Sequence, residues 1–132
     1  MAKPLKVAVV SPEREVYAGE AEMVVAKGLA GDVGILADHA PMLIQLAIHP
    51  VRVIREGGNE DVIIVDGGFL NVTPGEETRV DVLAEHAELA GEVDAAAARR
   101  RAEELRRRVD EGEAGARADL AKALIRAEHG RA

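Results

Sequence analysis

The sequence contains no cysteine and no tryptophan, and a single Tyr17 and a single Phe69 make up its aromatic complement. Without cysteine there is neither a disulfide framework nor a thiolate metal cage, a composition that suits a reducing compartment. Two aromatic rings are too few for the stacking platforms on which single-stranded nucleic acids are read. Positive charge is also scarce: 17 basic against 24 acidic side chains leave a net charge of −7 over 132 residues. Duplex binding draws its affinity from Lys and Arg neutralising phosphates, so nucleic acid is not an expected partner. No apolar run is long enough for a membrane span or a signal peptide, and any membrane association is expected to come through a partner rather than by insertion.

The chemistry of an enzyme is equally short of candidates. His39 and His49 are ten residues apart, without the spacing that sets two imidazoles on one ion, and His86 and His129 stand alone, so no metal site is expected. Ser11 is the only serine and lies outside any nucleophile elbow. The glycines of Gly28-Leu29-Ala30-Gly31-Asp32-Val33-Gly34 read as turn glycines, because no helix follows to offer its N-terminus to a phosphate. The chain is expected to be non-catalytic.

What is present divides into two regimes. Residues 1–91 carry 7 basic and 15 acidic groups and all five prolines, whereas residues 92–132 carry 10 basic and 9 acidic groups. In the first regime Leu5, Val7 and Val9 alternate with Lys6 and Ala8, and the same period of two recurs at Met23 and Val25, at Val51 and Val53, and at Val80 and Val82. Val62 to Val65 is apolar on both faces and is expected to be central. Turn signals stand at Ser11-Pro12, Gly57-Gly58-Asn59, Gly67-Gly68 and Pro74-Gly75. Many short strands with closely spaced turns predict an antiparallel β-sandwich or barrel over 1–88.

The second regime predicts a helical hairpin over 89–132, giving an α+β chain. Ala, Arg, Glu and Leu dominate from Ala95 to Val109, with Asp94 placed to cap the helix and Gly112 and Gly115 to end it. A second helix is expected from Ala116 to Glu128, antiparallel to the first. Glu103 with Arg107 and Glu104 with Arg108 are spaced as i,i+4 ion pairs. The apolar stripes, Ala98-Ala102-Leu105-Val109 and Ala116-Leu120-Ala123-Ala127 with Leu124 and Ile125 beside the second, are thin. Such a pair is expected to depend on a surface outside itself and to undock readily.

The basic tract is the least expected feature of an acidic chain. Arg99, Arg100, Arg101, Arg106, Arg107 and Arg108, with Glu103 and Glu104 between, give +4 over ten helical residues. This is a solvated face with internal ion pairs, or a surface for an acidic protein partner, since guanidinium groups take carboxylates bidentately, or, as a third option weakened by the acidic sandwich tethered beside it, a nucleic-acid contact. A free-standing sandwich enzyme and a generic adaptor for an acidic partner are the competing functional classes.

Three segments carry a family resemblance: Val9 to Tyr17, reading VVSPEREVY; Gly31 to Met42, reading GDVGILADHAPM; and Gly67 to Val72, reading GGFLNV. In order and spacing they resemble the epsilon subunit of the F-type, proton-translocating ATP synthase along essentially the whole chain. The resemblance implies a rotor subunit of the central stalk that binds the gamma subunit and the c-ring, at the cytoplasmic face of the cell membrane. It also implies a hairpin that extends to inhibit ATP hydrolysis. By similarity Asp32 and His39, at the same end of the domain, should meet the polar loops of the ring. The six arginines should meet an acidic segment of a beta subunit in the alpha/beta catalytic head. Some bacterial members bind ATP between the hairpin helices. The matching motif here is Val93-Asp94-Ala95-Ala96-Ala97-Ala98, with Ala97 where the family has Arg, and Arg126 is the basic position matched on the second helix. Losing that guanidinium predicts weak or absent ATP binding, with no cofactor required. Ala37-Asp38 stands where Pro-Gly is usual, which predicts a looser turn.

Overall fold

The computed structural model describes residues 3–132, and the chain divides into one unit that ends at Leu89 and another that begins at Ala90. The first unit is built from β1 (Leu5–Val10), β2 (Glu15–Ala21), β3 (Met23–Gly28), β4 (Gly31–Ile35), β5 (Met42–Ile54), β6 (Glu60–Thr73), β7 (Thr78–Ala84) and β8 (Ala87–Leu89). Alternation decides which faces are buried: Leu5, Val7 and Val9 of β1 and Thr78, Val80, Val82 and Ala84 of β7 point inward, with exposed or half-exposed residues between them.

The strands form one hydrogen-bonded path, β2-β1-β7-β6-β5-β3-β4, with β8 joined to β6. The path makes a sandwich because β5 and β6 are long enough to serve both layers. Their leading and trailing halves pair in register, Ile44 opposite Leu70 and Val51 opposite Ile63. On its other side β6 pairs with β8 through Ile63–Val65 and with β7 through Gly68–Thr73. One layer is therefore β2, β1, β7 and the Gly68–Thr73 half of β6 with the start of β5. The other is β4, β3, the end of β5, the start of β6 and β8. Leu5, Val9, Leu70, Val80 and Val82 of the first layer pack with Val24, Ile35, Val53, Ile63 and Val65 of the second in a single core.

Of the two expected forms the sandwich is the one found, and finer expectations change. The sheet does not close into a barrel: β2 and β4 are the ends of the path, and among the described residues no strand pairs with their outer sides. Nor is the pairing wholly antiparallel, because β1 lies parallel to β7, with Val7 beside Val80 and Val9 beside Val82. Gly67-Gly68 is no inter-strand turn either. Both residues lie inside β6, at φ +81° and +119°, where the strand passes from one layer's pairing to the other's. The positive φ that made the pair read as a turn serves instead to bend a continuous strand. Gly28 and Gly31 do flank a two-residue turn, but Asp32 to Gly34 continue as β4 rather than loop.

The second unit comprises α1 (Ala95–Asp110) and α2 (Ala116–His129), close to the expected limits. Asp94 caps α1 as read, its carboxylate accepting from the Ala97 amide at 3.1 Å. The hairpin core is Ala102, Leu105, Ala116 and Ala123, with Val109 and Leu120 packed against it. Leu124 does not join that core and is 40% exposed. The ion pairs also differ from the simple i,i+4 scheme: Glu104 turns back to Arg101 at 3.4 Å, and Arg108 reaches past the helix end to Glu113 at 2.6 Å.

Candidate functional surfaces

Among the described residues no group of three or more His, Cys, Asp or Glu side chains could hold a metal ion. The histidines make local bonds: His39 Nδ1 donates to the Ala40 carbonyl at 2.7 Å, and His49 Nδ1 lies 3.3 Å from that of Pro50. The features that remain are surfaces suited to binding.

The outer face of the first layer carries an apolar patch. Phe69 lies opposite Leu83 on β7 and opposite Gln45 on β5, and Leu43 lies one step along the same face of β5. Leu43, Phe69 and Leu83 are 67%, 48% and 57% exposed. Cross-strand neighbours on one face are close enough to act as a single surface. Farther along that face the row becomes charged, with Lys6 held by Glu20 at 3.5 Å and Arg79 by Asp81 at 3.3 Å. An exposed apolar cluster with a polar rim is the usual mark of a protein-binding surface. The patch was missed in the sequence because only register shows that the three residues are neighbours.

The β3–β4 turn forms a second feature, an open and mostly apolar hollow of about 290 Å³ lined by Gly28, Leu29, Gly31, Asp32, Ile44 and Gln45 among others. Asp32 is exposed there, opposite Lys27. His39 is not brought to it. Asp32 stands at the start of β4, and His39 lies beyond its end, after a turn closed by the bond from the His39 amide to the Leu36 carbonyl at 3.2 Å. The two residues expected at one end of the domain therefore sit at opposite ends of a strand. The turn itself is intact. Asp38 takes φ +64° in the position usually held by Gly, and its amide donates to the buried Thr78 hydroxyl at 2.8 Å.

On α1 the six arginines stack as i,i+7 pairs: Arg99 with Arg106, Arg100 with Arg107, and Arg101 with Arg108. Ala102 and Leu105 take the inner face, so the arginine columns cover the outer one. Arg101 and Arg108 are held by Glu104 and Glu113, while Arg99, Arg100, Arg106 and Arg107 are exposed. The bonds and charge of Glu113 raise Arg108 above its ordinary pKa. At the other end of the helix, Asp94 is held below the usual carboxylate range by the Ala97 amide first, with the Ala96 amide and the charges of Arg100 and Arg131 adding to it. Arg126 lies on α2 at the same end of the hairpin as Asp94, its guanidinium donating to the Lys122 carbonyl at 3.2 Å.

Comparison with known proteins decides what carries these surfaces. The family model described as "ATP synthase, Delta/Epsilon chain, beta-sandwich domain" matches residues 4–90. The chain belongs to this ATP synthase family. It is 48% identical over 102 residues to the ATP synthase epsilon chain of Brevibacillus brevis, covering 75% of each chain. Against the epsilon chain of Chromohalobacter salexigens it is 50% identical over 90 residues, 68% of this chain and 62% of that one. A chain of the mitochondrial ATP synthase of Euglena gracilis shares the fold with a TM-score of 0.78 at 21% identity, over 95% of this chain and 79% of that one. As its epsilon-chain relatives are, this family member is a non-catalytic subunit of the ATP synthase complex. No helix among its described residues is long and apolar enough to cross a membrane.

Proposed function

We propose that the chain works as a coupling and regulatory subunit of the central stalk, at the cytoplasmic face of the membrane and held there by its partners. The sandwich attaches to gamma and to the c-ring and transmits proton-driven rotation toward ATP synthesis. The hairpin extends toward the alpha/beta catalytic head and inhibits ATP hydrolysis. The observation that carries this reading is the division of the chain into two units that each close their own core, one spanning eight strands and the other only four buried residues, three of them alanine. A large core suits a rigid attachment piece, and a small one suits an element that changes state.

The exposed Arg99, Arg100, Arg106 and Arg107 supply the charge for an acidic beta-subunit segment. Asp32, with the exposed Leu29 beside it, is the ring-facing end of the sandwich. A ring contact that also used His39 would have to span the length of β4. ATP is at most a weak regulatory ligand on this reading: Asp94 is engaged as a helix cap and Ala97 offers no guanidinium beside it, leaving Arg126 alone among the matched residues.

Removal of residues 92–132 tests the proposal in the assembled enzyme. Hydrolysis should rise under inhibiting conditions while assembly and the sandwich fold persist. Hydrolysis that stays at the level of the intact enzyme would count against an inhibitory hairpin, and loss of gamma and the c-ring from the purified complex would count against the stalk assignment.

A further inference from the structure

The segment after α2 folds back onto the start of α1. The Arg131 amide donates to the Val93 carbonyl at 2.7 Å, and the Ala95 amide donates to the Arg131 carbonyl at 2.9 Å, forming a short parallel bridge between Asp94 and Arg131. Ala95 is the first residue of α1, and its amide is one of the donors that a helix leaves without an internal partner. The returning strand satisfies it. Asp94 satisfies the Ala97 amide from its own side chain, so the start of α1 is capped twice, once locally and once by the far end of the hairpin.

Gly130 makes the approach possible. Its amide closes α2 on the Arg126 carbonyl at 2.8 Å. A Cβ at this position would stand 2.6 Å from that carbonyl oxygen, 2.9 Å from the Val93 oxygen and 3.0 Å from Val93 Cγ1. The backbone is at φ −72°, which any residue adopts, so it is space and not conformation that calls for glycine here. The hairpin's side-chain core is small, and at this end the two helices are joined by main-chain bonds and close backbone packing.

We propose that Gly130-Arg131 is a latch that holds the open end of the hairpin shut through backbone hydrogen bonds to Val93 and Ala95. Separation of α2 from α1 then begins with release of this segment. The regulatory consequence rests on the proposed inhibitory role of the hairpin; the latch itself does not.

The test uses the full chain. Since there is no native cysteine, spin labels at A96C and E128C report the distance across the latched end. Arg131→Pro removes the donor to Val93 while the preceding Gly130 already has the extended backbone that proline requires. Gly130→Val blocks the approach sterically, and Arg131→Ala keeps the backbone bonds while removing the charge. The parent and R131A should show one short, narrow distance, and R131P and G130V a longer and broader one. The Ala95 amide should exchange roughly tenfold faster or more in R131P, as expected for loss of about one or two net hydrogen bonds. Identical distances in R131P and R131A, whether short or long, would overturn the latch. So would loss of exchange protection spreading to Leu105 and Leu120, because the contact would then be part of the hairpin's fold and not a closure at its end. Measured in the assembled enzyme, opening by R131P with no change in ATP hydrolysis would leave the latch standing and sink the inhibitory role.

Discussion

The Tyr17 hydroxyl donates to Asp61 Oδ2 at 2.7 Å, across 44 residues of sequence, and Arg55 Nε holds the same carboxylate oxygen at 3.0 Å. Tyr17 belongs to β2 in the first layer, and Asp61 to the start of β6 in the second. The bond ties an edge strand of one layer to the other layer, at a place where the core alone does not hold β2 from both sides.

Burial, and then the bond to Asp61 and its charge, push the Tyr17 hydroxyl up to about 12 from its ordinary 10.0. Since this is the only tyrosine, its ultraviolet titration can be read directly. The midpoint should lie near 12 in the folded chain and near 10 in urea, and Asp61→Asn should bring the folded value down. The folded form keeps the proton longer than the unfolded form. Its stabilising contribution is therefore complete below about pH 10 and is lost as the pH rises through about 12. Because the side chain is only partly buried, the effect should be on the order of 1 kcal/mol, and Tyr17→Phe should cost about the same in urea unfolding at neutral pH.

Gly67 and Gly68 should respond differently to alanine although they are neighbours. A Cβ on Gly68 would run into the Leu83 carbonyl and the Ala84 Cα, whereas one on Gly67 meets nothing nearer than 3.9 Å. Gly67→Ala should cost about 1–2 kcal/mol, from its backbone conformation alone. Gly68→Ala adds a backbone collision and should cost about 3 kcal/mol or more, seen as a lower denaturant midpoint. Equal midpoints would show that the kink in β6 is not held where the pairing places it.

At Asp38 a non-glycine residue sits at φ +64° and keeps its amide bonded to Thr78. Asp38→Gly should relieve strain and raise stability by about 0.5–1 kcal/mol, while Asp38→Val should lower it by about 1–2 kcal/mol. Thermal or urea unfolding of the three chains in parallel provides the ranking.

The cap of α1 should be acid-sensitive. Asp94 is held below its ordinary value of 3.8, so its support for the helix is present above that value and is lost as the pH falls through the lower, folded one. Helical ellipticity should therefore fall more in the parent than in Asp94→Asn, which caps without titrating, between about pH 5 and pH 2. Parallel curves would remove Asp94 from the account of hairpin stability.

Much of this architecture was open to reading from residue pattern. Leu5-Val7-Val9 and Val80-Val82 alternate because one face of each strand is buried, and Ala95 to Asp110 lacks anything that would stop a helix before Glu111. Other parts depend on register, which local pattern does not carry. β2 has the weak alternation of an edge strand and β8 is only three residues long, so neither announced itself. Gly67-Gly68 was ambiguous for a physical reason: a turn and a strand kink both require positive φ. The same holds for the surfaces. The arginines of α1 were visible as a run, and their columns follow from helical geometry, but the Leu43–Phe69–Leu83 patch, the separation of Asp32 from His39, and the pairing of Arg131 with Val93 and Ala95 required the chain to be folded.

The parallel pairing of β1 with β7 also sets an order of assembly. Strands β3 to β6 are joined by antiparallel pairings within one continuous stretch, β3 with β4 and β5, and β5 with β6, so most of one layer can form from it alone. β1, although synthesised first, has only β2 beside it until the Thr78–Ala84 segment exists. Its second edge stays open through the making of some seventy residues, and the longest loop in the domain closes when that edge is filled. Folding speed should be governed by this closure, since contacts distant in sequence must overcome their loop entropy before they contribute.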